Sequence, residues 1–145
     1  MAFYLSEPES FNDRKRNLIV PSNYSIELAE FLGILSGDGY IGFYPDRNEY
    51  IIEISGHSIN DRDYLTNYVY RLSYLLFNVH PSIYFVKNTN SMYLKIRSKL
   101  VFNYIRSLGF PVGKKNQIHI PPFILSNNDY MVAFLRGIFD TDGSF

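Results

Sequence analysis

The hydrophobic pattern of the chain alternates between two spacings, so it predicts both helices and strands. After Ser25, the apolar residues Leu28, Leu32 and Leu35 follow one another at helical spacing. The Ser25 hydroxyl is a typical N-cap for the helix that these positions define. The pattern therefore predicts a helix that begins at Ser25 and ends at Gly39.

Two β-hairpins are predicted further along the chain. The first joins residues 40–44 to residues 49–55 through the turn-forming sequence of residues 45–48, between runs rich in tyrosine and isoleucine. The second joins residues 83–87 to residues 92–97. Apolar and polar residues alternate within these strands, so one face of each hairpin is expected to pack and the other to be polar.

Two further helices are predicted by apolar spacing. The first covers residues 61–77, and Ser58 or Asn60 is expected to cap it. Its core residues are predicted to be Tyr64, Leu65, Tyr68, Val69, Leu72, Leu75 and Leu76. The second helix covers residues 98–108 and closes at Gly109.

One short pattern occurs twice in the chain. Residues 29–39 read AEFLGILSGDG, residues 133–143 read AFLRGIFDTDG, and the matching residues are offset by 104 positions. A constant offset is the signature of an internal repeat. In each copy small residues recur at every fourth position, which places them on one helix face. These residues are Ala29, Gly33 and Gly37 in the first copy and Ala133, Gly137 and Thr141 in the second.

The small residues predict that the two repeated helices pack against each other. A glycine inside a helix costs about 1 kcal/mol relative to alanine, so each glycine needs a compensating contact. Close approach of the two backbones supplies it, as at other helix faces built from small residues. We therefore expect Ala29, Gly33, Gly37, Ala133 and Gly137 to form a helix interface.

Each copy ends in an Asp-Gly pair, Asp38-Gly39 and Asp142-Gly143, whose glycine is expected to end the helix in the left-handed conformation. Helices packed side by side deliver both carboxylates to one end, where they repel unless one is protonated or cations lie between them. Carboxylate oxygens bind hard divalent ions, and two-metal sites hydrolyse phosphodiesters. The simpler interpretation is that Asp-Gly is only turn and cap chemistry, which suits one copy better than two in register.

The segments at residues 31–39 and 135–143 resemble the signature helices of the LAGLIDADG homing endonucleases in their two-motif, single-chain form. Asp38 and Asp142 fill the eighth position of the motif, which is the acidic metal ligand in that family. The first copy departs from the motif at Phe31, where the family has leucine.

The resemblance implies a DNA endonuclease that hydrolyses phosphodiester bonds with Mg²⁺ or another divalent cation. The residues that it assigns are Asp38, Asp142, Gly37 and Thr141 for the metal and Asp38, Asp142, Lys114 and Lys115 for catalysis. In the family a basic residue well after the motif aspartate reaches the solvent around the scissile phosphate, and the two lysines lie where it is expected. A lysine there stabilises developing phosphate charge; the alternative is a simple phosphate contact.

The resemblance also implies an α+β fold, the αββαββα unit, with a twisted antiparallel four-stranded sheet between the helices and double-stranded DNA. Such a sheet fits the major groove, where base edges carry a full donor and acceptor code. The residues assigned to DNA binding are Tyr40, Gly42, Tyr44, Arg47, Asn48, Glu53, Ser55, Lys87, Tyr93, Lys95 and Arg97. A slip of one residue in a strand would exchange its two faces.

Composition fits a folded domain and adds a charge asymmetry. The 145 residues are 46% apolar and 17% aromatic, and the absence of cysteine excludes disulfides and thiolate metal sites. The 14 basic and 14 acidic residues balance, which argues weakly against a nucleic-acid partner. Yet residues 64–128 contain eight basic residues and no Asp or Glu. Such a stretch can track phosphates, and the alternative is a solvated basic surface.

Other functions compete with nuclease activity. P-loop, zinc-protease and serine-hydrolase motifs are absent, and His57, His80 and His119 have no ligand spacing. Two alternatives of the same fold remain, an RNA-binding intron maturase and a non-cleaving DNA-binding protein. Two aspartates in register favour the nuclease, because repelling carboxylates are of little use at the centre of a binding protein.

The repeat divides the chain into an N-terminal arm without clear period at residues 1–21, a first repeat forming half of a DNA-binding saddle at residues 22–128, and the signature helix of a second repeat at residues 129–145. This second repeat has no sheet, so we expect a truncated or split form. A second chain or a missing C-terminal half would complete the saddle. No membrane span or secretory signal is predicted, and an intracellular location, in the cytoplasm, nucleoid or an organelle matrix, is expected.

Overall fold

The structure, a computed structural model, describes residues 9–114 and 118–142. The elements are α1 (Phe11–Lys15), α2 (Ile26–Asp38), β1 (Gly39–Tyr44), β2 (Glu49–His57), a π-helix (Tyr64–Val69) that continues into α3 (Tyr70–Phe77), β3 (Ser82–Phe85), β4 (Ser91–Arg97), α4 (Lys99–Ser107), α5 (Pro122–Leu125) and α6 (Asn128–Asp142). From α2 to α4 this order is the predicted αββαββα unit.

The four strands form one antiparallel sheet with the order β1-β2-β4-β3. Its registers pair Ile41 with Ile52, Ile52 with Ile96, and Ile54 with Leu94. Paired residues lie on the same face of a sheet, and all five of these belong to the hydrophobic core. The alternate residues lie on the opposite face, which we call the outer face. The predicted α+β fold with a four-stranded antiparallel sheet is confirmed.

Helix α2 lies at the centre of this core. Ser25 caps it as predicted, since the Ser25 hydroxyl accepts a hydrogen bond of 3.1 Å from the Leu28 N–H. Every residue from 28 to 36 is buried, and Phe31 packs edge-on against Phe77 of α3 with ring centroids 5.3 Å apart. A helix that is covered on all sides is apolar all round, which explains why its sequence has little amphipathic contrast.

Helices α2 and α6 are in backbone contact. A methyl group on Gly33 would overlap the carbonyl group of Phe134, and one on Gly137 would overlap the carbonyl oxygen of Glu30. Near the beginnings of the two helices, the Tyr130 hydroxyl donates a hydrogen bond of 3.4 Å to the carbonyl oxygen of Tyr24. Their N-terminal ends and their middles are therefore adjacent, so the two helices run in the same direction and end on the same side.

The junction between α2 and β1 differs from the prediction. Gly39 has φ −102° and ψ 166°, which is extended backbone, and it is already the first residue of β1. The prediction that Gly39 ends the helix in the left-handed conformation is wrong. Glycine is required here for space, because a Cβ would lie 2.6 Å from the Leu35 carbonyl oxygen. The helix therefore passes into the strand without an intervening loop.

The helix predicted for residues 61–77 is π-helical over Tyr64–Val69. A π-helix has about one residue more per turn than an α-helix, so residues within it and after it rotate away from the positions that α-helical spacing predicts. Tyr68 and Leu75, both predicted to be core residues, are 44% and 63% exposed. The predicted caps are also wrong: the His57 Nδ1 atom accepts hydrogen bonds from the N–H groups of residues 59 and 60.

The described part of the predicted N-terminal arm contains a short docked helix. Helix α1 has a capping box formed by Ser10 and Asp13, and Asp13 is fully buried. The Asp13 carboxylate also accepts a hydrogen bond of 3.0 Å from the N–H of Leu100 at the start of α4. Burial alone would raise the pKa of Asp13, but the hydrogen bonds from Ser10, Leu100 and Ser98 hold it below its usual value. Asp13 is thus an ionised anchor between α1 and α4.

No helix of the described residues is both long enough and apolar enough to cross a membrane.

We predict that Gly33→Ala destabilises the protein by about 2 kcal/mol or more. Alanine would gain about 1 kcal/mol in helix propensity, but the new methyl group collides with the Phe134 backbone, which cannot move without separating the two helices. Chemical denaturation measures the difference. Ser36→Ala on the same helix is the control, because it removes a buried hydroxyl that has no hydrogen-bond partner. Equal stability of the Gly33 variant and wild type would contradict the backbone contact.

Candidate nucleic-acid interface and helix-end site

Asp38 is the last residue of α2, and Asp142 is the last residue of α6. Because the two helices run in the same direction, both residues lie at the same end of the helix pair. Asp38 is half-buried there, while the side chains of Thr141 and Asp142 lie outside the described part of the structure. Gly37, the other predicted metal ligand, is half-buried in the last turn of α2.

Tyr64, on the π-helix, lies close to the acidic residues of both helices. Its burial raises the pKa of the Tyr64 hydroxyl, and the negative charges of Asp140, Glu30 and Asp38 raise it further. Asp140 belongs to α6, whereas Glu30 and Asp38 belong to α2. The phenol therefore stays neutral beside the acidic end of the helix pair.

A partly buried polar contact flanks the helix pair, and the sequence did not predict it. Glu30 is only 3% exposed, and its Oε1 atom accepts a hydrogen bond of 2.6 Å from the Tyr68 hydroxyl. Burial and this hydrogen bond raise the pKa of Tyr68 to about 12. Within the described residues, Glu30 Oε2 and the Tyr64 hydroxyl are buried without a hydrogen-bond partner. The sequence feature that could have predicted this contact is Glu30 itself, the single charged residue within the apolar run of α2.

Lys114 lies beside the strand that follows Asp38. The preceding residue, Gly113, has φ +83° and donates a backbone hydrogen bond of 2.8 Å to the carbonyl oxygen of Ile41, on the free edge of β1. This contact ties the loop to β1 three residues after Asp38, and Lys114 is exposed. Lys115 lies outside the described residues.

The outer face carries most of the residues assigned to DNA binding. The registers pair Tyr40 with Glu53, Glu53 with Lys95, and Ser55 with Tyr93, so these side chains share a face. The assigned residues on the outer face are Tyr40, Gly42, Tyr44, Glu53, Ser55, Tyr93, Lys95 and Arg97. The three others lie in turns: Arg47 and Asn48 in the β1–β2 turn, and Lys87 after β3, which ends earlier than predicted.

Cations on and beside the outer face are paired with carboxylates. Lys95 Nζ lies 3.9 Å from Glu53 Oε1, and Arg97 Nε lies 3.4 Å from Glu49 Oε2. Glu49 also contacts Arg47 at 3.8 Å, a role that the sequence did not suggest. The two pairs of Glu49 involve exposed arginines, and surface pairs contribute at most about 1 kcal/mol each, so a competing anion displaces them readily. The Lys95–Glu53 pair is half-buried.

The basic stretch at residues 64–128 does not form a single patch. Lys95 and Arg97 lie on the outer face of the sheet, whereas Arg71 is exposed on α3 and Arg106 is exposed in the last turn of α4. The helices and the outer face lie on opposite sides of the sheet. The sequence stretch therefore divides between surfaces that no single DNA segment contacts together.

Tyrosines alternate with the charged residues on the outer face. Tyr84, which the sequence analysis did not assign, stacks on Tyr93 with ring centroids 5.0 Å apart, and Lys95 Nζ lies within 5.6 Å of both ring centroids. A hydrogen bond with Arg97 lowers the pKa of Tyr84 and raises that of Arg97. These contacts hold cationic groups in fixed positions on an aromatic surface.

At the β1 side of the same face, Tyr40 lies across Gly42. A Cβ at Gly42 would lie 2.6 Å from the Tyr40 hydroxyl oxygen, so glycine leaves room for the ring. The Tyr40 hydroxyl is 3.4 Å from the Tyr44 hydroxyl, and this contact, with burial, raises the pKa of Tyr40 to about 12. The face therefore offers neutral hydroxyl groups beside its charged pairs.

The donor chemistry at the helix ends fits a hard divalent cation. Asp38 supplies carboxylate oxygens, which such ions prefer, and the end of α6 brings a second aspartate of the repeat to the same side. Within the described residues, no group of three or more His, Cys, Asp or Glu side chains forms a metal cluster. The side chain of Asp142 lies outside the described part of the structure.

The αββαββα unit, with its four-stranded antiparallel sheet, is the fold of the LAGLIDADG homing endonucleases, and the resemblance to that family is confirmed at the level of the fold. Solved structures of I-DmoI share this fold. Its complex with DNA and Mn is 25% identical to this chain, with a TM-score of 0.56 over 82% of this chain and 63% of I-DmoI. Its complex with DNA and Ca is 24% identical, with a TM-score of 0.55 over 80% and 56%.

Two curated relatives come from Methanocaldococcus jannaschii, and no protein-family model matches the chain. An uncharacterised protein is 27% identical over 135 residues, which cover 92% of this chain and 45% of the relative. The replication factor C small subunit is 29% identical over 123 residues, which cover 84% of this chain and 6% of the relative. The chain thus spans less than half the length of these relatives.

Proposed function

We propose that this chain is part of a site-specific DNA endonuclease of the homing type, which hydrolyses phosphodiester bonds of double-stranded DNA with a divalent metal. The observation that carries the proposal is the pair of parallel α2 and α6 helices, which bring Asp38 and Asp142 to one end beside the sheet. In support, I-DmoI has this fold, and its solved structures contain DNA with Mn or Ca.

The outer face of the sheet would lie in the major groove of the DNA. Strand β2 has nine residues and is therefore about 30 Å long, which matches about nine base pairs of B-DNA. The tyrosine hydroxyls, Ser55 and the paired Lys95 and Arg97 supply donors and acceptors for base edges. Glu49 and Glu53 would keep the cations oriented until phosphates or base edges replace the carboxylates.

Asp38 and Asp142 would hold the metal through carboxylate oxygens, with Gly37 and Thr141 as neighbouring ligands. When bound, the metal would activate water and stabilise the charge that develops on the scissile phosphate. Lys114, tied to the edge of β1 by Gly113, would reach the same phosphate, and Lys115 is proposed to share this role. Residues 22–128 would form one half of the DNA-binding saddle, and residues 129–145 would begin the second.

An exposed apolar stripe on α6 supports a second sheet in the complete assembly. The repeat offset matches Val132, Leu135 and Phe139 to Leu28, Phe31 and Leu35. The three residues of α2 are fully buried in the core, whereas the three of α6 are 56%, 39% and 47% exposed. The equivalent face of α6 is therefore expected to carry a sheet like β1–β4, supplied by a C-terminal half or by a second chain.

The first test replaces the proposed metal ligand. Asp38→Asn should abolish Mg²⁺-dependent cleavage by the complete assembly while sparing or tightening DNA binding, because it removes a negative charge near phosphate. Asp129→Asn, which removes a carboxylate at the opposite end of the helix pair, is the matched control and should cut normally. Cleavage at the wild-type rate by the Asp38 variant would refute the metal assignment.

The second test concerns the lysine loop. Replacing Lys114 and Lys115 by alanine should slow cleavage at saturating DNA and reduce the salt dependence of binding by about one to two phosphate contacts. Arg71→Ala with Arg106→Ala removes the same charge from the helical side and should change neither property. If binding and cleavage both stay at wild-type values in the lysine variant, these residues have no role at the phosphate.

The third test concerns the second sheet proposed to cover α6. The chain alone should bind at most a half-site and should not linearise a supercoiled plasmid that carries a cognate site. Addition of a C-terminal half or a second chain that packs a sheet on α6 should restore linearisation. Phe139→Asp should prevent the pairing without unfolding the chain, because Phe139 is half exposed. Leu75→Asp, on the exposed side of α3, is the control. Efficient linearisation by a species that sediments as a monomer would defeat this proposal.

A further inference from the structure

A cleft lies at one end of the sheet, where it adjoins the outer face and is separate from the helix ends. It has a volume of about 700 Å³ and is bounded by α1, the β1–β2 turn and the beginning of α4. Its basic lining residues are Lys15, Arg16, Arg47, Arg97 and Lys99. Among the described residues that line it, Glu49 is the one carboxylate. The cleft is therefore strongly positive although the whole chain has no net charge.

The cleft is a built feature, because α1 is fixed in place beneath it. Arg16 contacts the buried Asp13 carboxylate at 3.2 Å and donates a hydrogen bond of 2.6 Å to the carbonyl oxygen of Arg97. The same carboxylate accepts the N–H of Leu100, so one buried anion connects α1 to α4 and to the end of β4. The cleft walls thus hold their positions before any ligand binds, which lowers the entropy cost of binding.

Two cations in the cleft are available to a ligand. Arg16 is engaged by Asp13, and Arg47 and Arg97 are engaged by Glu49. Within the residues that the structure describes, Lys15 and Lys99 have no carboxylate at ion-pair distance, and Lys99 Nζ lies 6.0 Å from the Tyr50 ring centroid. An anion bound between these two lysines would be attracted by both of them, and no existing ion pair would have to break.

The cleft continues the proposed DNA surface. Glu49 and Arg97 line it and also belong to the outer face, at the end where β2 begins and β4 ends. A duplex that follows β2 for its length of about 30 Å would pass over this end, so its backbone would meet the cleft beyond about nine base pairs. Phosphates are the groups that a duplex presents there, and lysine and arginine are their usual partners.

We propose that this cleft binds backbone phosphates of duplex DNA that extends past the end of the sheet. The inference rests on the proposed DNA-binding function and adds a contact made by α1 and the start of α4. The contact would not distinguish between base sequences, but it would fix the position of the duplex along the outer face. Phe11, which is 69% exposed at the cleft, offers a competing possibility, the stacking of an unpaired base.

The test compares two duplex lengths with a charge-matched control. Fluorescent duplexes of about 10 and about 30 base pairs are titrated with the chain at several salt concentrations, and the slope of log K against log salt is measured. Lys15→Ala with Lys99→Ala should lower the slope by about 1.8 for the long duplex, since each lost phosphate contact is worth about 0.9, and should leave the short duplex unchanged. Arg71→Ala with Arg106→Ala removes the same charge elsewhere and should change neither slope.

The outcomes separate this inference from the proposed function. Equal effects of the two double variants, or equal losses for both duplex lengths, would overturn the cleft proposal and leave duplex binding by the outer face intact. Failure of the wild-type chain to bind either duplex would overturn both proposals. Tighter binding of a single-stranded DNA or RNA oligonucleotide than of the long duplex, with loss in Phe11→Ala, would overturn the duplex assignment in favour of base stacking.

Discussion

The backbone contact between α2 and α6 is the constraint on which the rest of the structure depends. Because Gly33 and Gly137 lack side chains, each helix approaches the carbonyl groups of the other at the middle of the molecule. Because of this contact the two helices run in the same direction, and their C-terminal ends lie on the same side of the molecule. Asp38 reaches its position because α2 passes directly into β1 at Gly39, so the helix pair fixes the sheet as well. A longer segment between α2 and β1 would allow the sheet to change its position relative to the helix pair.

Electrostatics then divides the surface into regions of different character. Acidic residues of α2 and α6, together with burial, raise the pKa of Tyr64, so its phenol stays neutral. The outer face carries paired charges and tyrosines, and the cleft beside α1 carries an excess of cations over the buried Asp13. A net charge of zero therefore conceals local potentials of both signs, which is why overall charge is a weak argument about partners for this chain.

Some features followed from local sequence and others did not. Strand parity was predictable because alternation in residues 92–97 is regular, and the structure places Leu94 in the core and Lys95 on the outer face. The burial of Leu75 was predicted wrongly. The π-helix before it rotates the following residues around the helix axis, and a pattern based on α-helical spacing does not include this rotation. The pairing of Glu49 with Arg97 was also hidden, since the two residues meet only when β2 and β4 become neighbours.

The sequence by itself determined the repeat, the small-residue helix faces, the order of helices and strands, and the two faces of the sheet. The helix and sheet faces depend on residue spacing within one element, and the repeat and the order of elements can be read directly along the chain. Only the tertiary structure decided that Gly39 is extended, that Asp13 ties α1 to α4, and that cations from four segments share one cleft. The physical reason is that these features arise from contacts between residues far apart in the chain, and their geometry exists only after the core has packed.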